Sequence, residues 1–75
     1  MQRFRIKETD TIKATATSTK TRKFLSSVYD SGFTTIEGVQ RALLRKIPHF
    51  EGKSIDISIT NLDKEQYKNF EVRVN

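Results

Sequence analysis

The chain lacks cysteine and tryptophan, and it contains only one proline and three glycines among its 75 residues. Without cysteine it can form neither a disulfide nor a thiolate metal site, which excludes the small secreted scaffolds that disulfides hold together. The glycines are scattered singly, so no glycine-rich phosphate loop is present. No apolar run approaches the roughly 20 residues that a membrane-spanning helix needs. These absences predict a protein with no cofactor and no membrane partner, and a cytoplasmic location is the default expectation.

Residues that could carry out catalysis or bind a metal ion are sparse. The single histidine, His49, has only Glu51 as a nearby acid, and the serines lack the sequence surroundings of a nucleophile. The carboxylates fall mainly in predicted turns and at outward strand positions. The sequence therefore predicts a protein that is not an enzyme, with no catalytic residue and no metal site.

Positive charge is the most informative feature of the composition. The formal net charge is +5, and it is concentrated in residues 1–50, where basic residues exceed acidic ones by six. Residues 51–75 carry a net charge of −1. This asymmetry predicts a polyanionic partner, either nucleic acid (DNA or RNA) or an acidic protein. So short a chain buries a small core, and a homodimer would add to the buried apolar area.

Hydrophobic alternation predicts four strands. Apolar and polar residues alternate over residues 3–7, 11–17 and 54–60, and again over 70–74. Alternation with a period of two is typical of strands that bury one face. The first two strands would form a hairpin whose outward side is basic and lined with threonine.

Two helices are predicted between the second and third strands. Phe24, Leu25 and Val28 fall on one helical face, which predicts a short first helix. It is expected to end near residue 29, because Gly32 suits the left-handed position that follows a helix. The second is predicted over residues 35–46. Its apolar stripe consists of Ile36, Val39, Leu43 and Ile47, and the Thr34–Glu37 spacing matches a capping box.

The element order β-β-α-α-β-β predicts an α+β fold of two layers, in which a four-stranded antiparallel sheet packs on a helical hairpin. The whole of residues 1–75 is expected to form a single domain. Joining the two β-hairpins through their first and last strands gives the predicted strand order 2-1-4-3.

The predicted helical hairpin has a recognisable turn. Gly32 is followed by the apolar Phe33, and the small residue Gly38 lies further along, where two helices could cross closely. Residues 22–44 thereby resemble the helix-hairpin-helix motif of DNA-handling proteins. Further positions that match the motif are Val28, Val39, Ala42 and Leu43. The resemblance implies that backbone N–H groups of the turn hold a phosphate at the N-terminus of the second helix. Thr34 departs from the family pattern, which often has a second glycine there.

These features predict a nucleic-acid interface on the basic hairpin face, the residues after it and the helical turn. The predicted binding residues are Arg3, Arg5, Lys7, Lys13, Lys20, Arg22, Lys23, Gly32, Thr34 and Thr35. Two other interpretations remain open. The basic face could be a solvated surface that prevents aggregation at the sheet edge, or the protein could be a protein-interaction module, an inhibitor or accessory subunit, that uses the basic face or an open sheet edge.

The aromatic residues are predicted to serve mainly the core. Phe4, Phe24, Phe33 and Phe70 occupy predicted inward positions, and partial exposure is expected only for Tyr29, Phe50 and Tyr67. No predicted strand face interleaves aromatic with basic residues, so the sequence predicts no platform on which the bases of a single strand could stack.

Overall fold

A computed structural model describes residues 3–47 and 53–74 of the chain. The described residues form four strands and one helix in the order β-β-α-β-β. The elements are β1 (Ile12–Ser18), β2 (Phe24–Asp30), α1 (Ile36–Arg45), β3 (Lys53–Asn61) and β4 (Gln66–Val74). Pro48, expected to end the helix, and His49, Phe50 and Glu51 lie outside the described residues.

The four strands form one antiparallel sheet in the order β2-β1-β3-β4. The predicted order 2-1-4-3 is wrong, because residues 3–7 are not a strand and the hairpin partner of β1 is β2. The pairing of β1 with β3, two strands that are far apart in sequence, joins the β1–β2 and β3–β4 hairpins into one sheet.

One face of the sheet carries the core. Ala14 of β1 lies opposite Ile59 of β3, and Ala16 lies opposite Ile57, so their side chains share this face. Helix α1 covers it through Val39 and Leu43, both fully buried. The buried apolar residues are Ile12, Ala14, Ala16, Val28, Val39, Leu43, Ile55, Ile57 and Ile59. The predicted inward alternation of the three β3 isoleucines is confirmed.

The predicted first helix is wrong, and with it the helical hairpin. Residues 24–30 form the edge strand β2, whose residues Ser26 and Val28 face the core with a period of two. The pairing with β1 shifts at Ala16/Thr17, so Leu25 is an extra residue in the ladder. Such a bulge breaks the alternation and places apolar residues at spacings that imitate a helix.

The predicted strand at residues 3–7 is also absent, although the segment keeps its alternation. Phe4 and Ile6 pack against the core, but side-chain amides hold the backbone instead of a strand ladder. The amide of Gln66 accepts from Arg5 N at 2.9 Å and donates to Arg3 O at 3.0 Å. Asn61 Nδ2 donates to Arg5 O at 2.8 Å. These contacts place the segment on the helix-bearing side of the sheet.

The predicted second helix is confirmed as α1, with its N-cap one residue later than the capping box indicated. Thr35 caps the helix, and its Oγ1 accepts from Gly38 N at 3.0 Å. Gly38 does not mark a close crossing of two helices. A Cβ built there would lie 3.2 Å from Thr35 Oγ1 and 3.9 Å from Phe33 Cδ1, so the glycine faces the helix's own cap.

A buried polar cluster fixes the start of β1. The Asp10 carboxylate accepts from Lys7 N at 2.9 Å and from Asn61 Nδ2 at 2.8 Å, and it forms an ion pair with Lys64. Asn61 is fully buried. These contacts, the Asn61 hydrogen bond foremost and then those of Lys64 and Lys7, lower the pKa of Asp10 from 3.8 to about 2. Each of them favours the charged form over the neutral one.

The Asp10 cluster predicts a loss of stability in acid. Because the folded pKa lies below the unfolded one, the stabilising contribution is complete above pH 4 and disappears as the pH falls from about 4 through about 2. Asp10→Asn should lower the urea midpoint at pH 7 and flatten the fall in stability across that acid range. Parallel pH–stability curves for the variant and the wild type would contradict this role of Asp10.

Candidate nucleic-acid interface

The second face of the sheet has no helix on it in the described part of the chain. Its side chains come from the strand positions that alternate with the core residues. On β1 and β2 these positions are Lys13, Thr15, Thr17, Phe24, Ser27 and Tyr29. On β3 and β4 they are Ser54, Asp56, Ser58, Thr60, Tyr67, Asn69, Glu71 and Arg73. We call this surface the open face. The predicted outward positions of Lys13, Asp56, Ser58 and Thr60 are confirmed.

The strand register aligns two tyrosines and a lysine in one row across the open face. Lys13 lies opposite Tyr29 on one side and opposite Thr60 on the other. Thr60 lies opposite Tyr67. The row therefore reads Tyr29–Lys13–Thr60–Tyr67, and its two tyrosines are three strand spacings apart, about 14 Å.

The aromatic side chains of the open face are strongly exposed. Tyr29 is 68% exposed, Tyr67 64% and Phe24 58%. Phe24 lies opposite Thr17 and so belongs to this face, which makes its predicted place in the core wrong. Phe4, Phe33 and Phe70 are half-buried against the core. Three large aromatic side chains are therefore exposed on the face of the sheet that the helix leaves uncovered.

Hydrogen bonds hold Tyr67 over the sheet. Its hydroxyl donates to Ser58 Oγ on the neighbouring strand, at 3.3 Å. Asn69 Nδ2 donates to the same Ser58 oxygen at 2.7 Å and to the Tyr67 hydroxyl at 3.4 Å. Because the hydroxyl contacts β3, the Tyr67 ring is restricted in its rotation although the side chain is exposed.

The predicted basic ribbon face does not exist as one surface. The side chains of Arg3, Arg5 and Lys7 are exposed, but their segment lies on the helix-bearing side, whereas Lys13 lies on the open face. A groove of about 640 Å³ runs between residues 3–6 and residues 34–37. The structure thus brings Arg3 and Arg5 near the start of α1 and separates them from Lys13.

The predicted turn residues Gly32, Thr34 and Thr35 lie in the loop from β2 to α1. Gly32 has a positive φ of 97°, but it follows strand β2 and not the predicted first helix, and its N–H donates to Glu8 O at 2.8 Å. Thr34 is exposed, and Thr35 is the N-cap. These residues connect a strand to a helix and do not form the turn of a helical hairpin.

The other predicted basic residues, Lys20, Arg22 and Lys23, are exposed in the turn between β1 and β2. Arg22 N donates to Ser18 O at 2.8 Å, and Ser18 N donates to Lys23 O at 2.9 Å. Arg22 has a φ of 61°, in the left-handed region that glycine occupies most easily. Phe24 follows the turn directly, so these three basic residues lie at the end of the β1–β2 hairpin, next to Phe24.

Other kinds of site are not apparent in the part of the chain that the structure describes. No group of three His, Cys, Asp or Glu side chains is placed to hold a metal ion, and no helix has the length and apolar character to cross a bilayer. Comparison of the chain with protein-family models, with curated proteins and with solved structures finds no match. The fold and surface define a small α+β domain whose sheet carries a helix on one face and exposed aromatic residues on the other.

No local pattern in the sequence indicates the tyrosine row, and for this reason no stacking platform was predicted from the individual strands. Tyr29 lay in a predicted helix, and Tyr67 lay before the predicted last strand. Only the pairing of Lys13 with both Tyr29 and Thr60 brings them together. Strand register was therefore the missing information.

Proposed function

We propose that this protein is a non-enzymatic module that binds single-stranded nucleic acid on the open face of its sheet. The observation that carries the proposal is the row Tyr29–Lys13–Thr60–Tyr67. Exposed aromatic rings on a sheet can stack unpaired bases, and a neighbouring cation can contact the phosphates. The net charge of +5 adds a long-range attraction for polyanions.

Single strands suit this surface better than a duplex does. A duplex keeps its bases stacked on one another, so the rings of Tyr29 and Tyr67 would find no free base face. The open face is also nearly balanced in charge, because Asp56 and Glu71 offset Lys13 and Arg73. A contact that relied on phosphates alone would favour a uniformly basic surface.

The direct test is a fluorescence-anisotropy titration with labelled oligonucleotides of about 12 residues. Single-stranded DNA, single-stranded RNA and a duplex should be compared at about 50 and about 200 mM salt. We expect both single strands to bind more tightly than the duplex, and binding to weaken as salt rises, because phosphate contacts release counterions. Absence of binding to every oligonucleotide at low salt would overturn the proposal.

A protein partner is the alternative, and one observation favours it. Strand β4 is a nine-residue edge strand in unbroken register with β3, and its outer edge has no partner among the described residues. Such an edge can accept a strand from another protein. The β2 edge is less open, since Lys46 Nζ donates to Ser27 O at 3.0 Å. A protein that binds no nucleic acid in the titration would be expected to use β4 in this way.

A further inference from the structure

The open face is divided by charge into two halves. The β1–β2 half, with its connecting turn, carries Lys13, Lys20, Arg22 and Lys23, and none of its outward strand positions from residue 13 to residue 29 is acidic. The outward positions of β3 and β4 include Asp56 and Glu71 against the single base Arg73. A phosphate chain laid across this face is attracted to the first half and repelled from the middle of the second.

We propose that the bound strand lays its phosphates along β1, from Lys13 to the turn at Arg22, and that the base stacked on Tyr67 lies over the β3–β4 half, where Ser58 and Asn69 contact its edge. This inference rests on the proposed function and adds an orientation and a source of base selectivity to it. It follows from the charge division, from the strained turn and from the hydrogen-bonding groups left free beside Tyr67.

The turn offers the first support. Arg22 has a left-handed backbone conformation, which is unfavourable for a residue with a Cβ atom, and its long basic side chain is exposed. Glycine would fit the same backbone without strain. Residues held in such conformations often serve a function that offsets their cost. A phosphate contact at the end of the β1–β2 half would give Arg22 that function.

The groups around Tyr67 offer the second support. Ser58 Oγ accepts from both Tyr67 and Asn69, so its own proton is free to donate. Asn69 uses its Nδ2 for these contacts, and its Oδ1 has no donor among the described residues. One donor and one acceptor therefore lie next to the exposed Tyr67 ring. Every base carries donors and acceptors on its edges, so a base stacked on Tyr67 can be read by this pair.

The test measures the phosphate contacts and the base contacts separately, with one readout for each. Titrations with oligo(dA), oligo(dC) and oligo(dT) at several salt concentrations give an affinity ratio between bases and a slope of log affinity against log salt. Lys13→Gln and Arg22→Gly should weaken binding to all three strands alike. Each should also reduce the slope by about 0.7 for every phosphate that the protein no longer neutralises. Arg22→Gly should at the same time raise the unfolding midpoint, because glycine adopts the left-handed backbone conformation of residue 22 without strain.

Asn69→Ala should leave the slope unchanged and reduce the ratio between the best and the worst base severalfold. The matched charge control is Lys68→Gln, because Lys68 lies opposite Ile59 on the helix-bearing face of the same strand and is exposed. Lys68→Gln should change neither readout.

Four results would overturn the inference while the proposed function stands: an unchanged slope in both Lys13→Gln and Arg22→Gly, equal wild-type affinity for the three strands, an unchanged base ratio in Asn69→Ala, or a reduced slope in Asn69→Ala. Absence of binding by the wild type at low salt is a different outcome, since it rejects the proposed function itself.

Discussion

Replacing Ile57 by alanine should lower the free energy of unfolding by about 2–5 kcal/mol, the usual cost of truncating a fully buried isoleucine. Ile57 is in β3, one of the two inner strands, has no exposed surface, and lies opposite Ala16 of β1 and Phe70 of β4. A loss of this size approaches the whole stability of so small a domain. Ile57→Val, expected to cost about 0.5–1.5 kcal/mol, keeps the effect measurable by urea unfolding.

The neighbouring position provides the control. Ser58 alternates with Ile57 and points to the open face, where, among the described residues, its hydroxyl contacts only the exposed side chains of Tyr67 and Asn69. Ser58→Ala should therefore cost about 1 kcal/mol or less, well below the cost of Ile57→Ala. A one-residue slip of β3 would exchange the two results, because it would turn the isoleucines outward. A large destabilisation by Ser58→Ala in a protein that still folds would mean that the open face is covered, most simply by a second copy of the chain.

Replacing Tyr29 or Tyr67 by alanine should weaken binding to a single strand by about 1–3 kcal/mol each, roughly 5- to 150-fold in dissociation constant. The tyrosines are about 14 Å apart, beyond the distance at which two substitutions usually couple. We therefore expect the free-energy losses of the double variant to be close to additive. Anisotropy titration of each variant measures the effect.

Phenylalanine variants separate stacking from hydrogen bonding. Tyr67→Phe keeps the ring and removes the hydroxyl that donates to Ser58, so it should bind within a few-fold of the wild type. Circular dichroism should show the strand signal of the wild type in every variant. Alanine variants that are folded and bind as tightly as the wild type would mean that the two tyrosines do not contact the nucleic acid.

The elements that the sequence predicted correctly are those with uninterrupted local patterns. The alternation of Ile55, Ile57 and Ile59 identified β3 and its buried face, and the apolar stripe of Val39 and Leu43 identified α1. Both patterns are set by neighbouring residues, and no other part of the chain was needed to interpret them.

The errors came from places where distant parts of the chain decide the structure. The bulge at Leu25 depends on the pairing of β2 with β1, and without that pairing the apolar spacing of residues 24–28 resembles a helix. The backbone of residues 3–7 is held by Asn61 and Gln66, more than 50 positions away in the chain. Alternation alone could not show that side-chain amides replace a strand partner there.

The candidate site was the least predictable feature. Lys13 was correctly placed outward, but its neighbours in space, Tyr29 and Thr60, are set by strand register. The basic residues that are close in sequence, such as Arg5 and Lys13, lie on different sides of the sheet. The excess of positive charge therefore predicted a polyanionic partner, but it did not indicate which surface would bind that partner.

The most direct test of the open face uses the protein's own fluorescence. The chain has two tyrosines and no tryptophan, so its ultraviolet emission comes from Tyr29 and Tyr67, both on the open face. A base stacked on a tyrosine quenches its emission, and Tyr29→Phe and Tyr67→Phe assign the signal to one ring at a time. We predict saturable quenching of both tyrosines when oligo(dT) is added at low salt, with the same midpoint as the anisotropy titration and with reversal by added salt. Binding by anisotropy with no quenching of either tyrosine would contradict the account, because the strand would then lie on another surface.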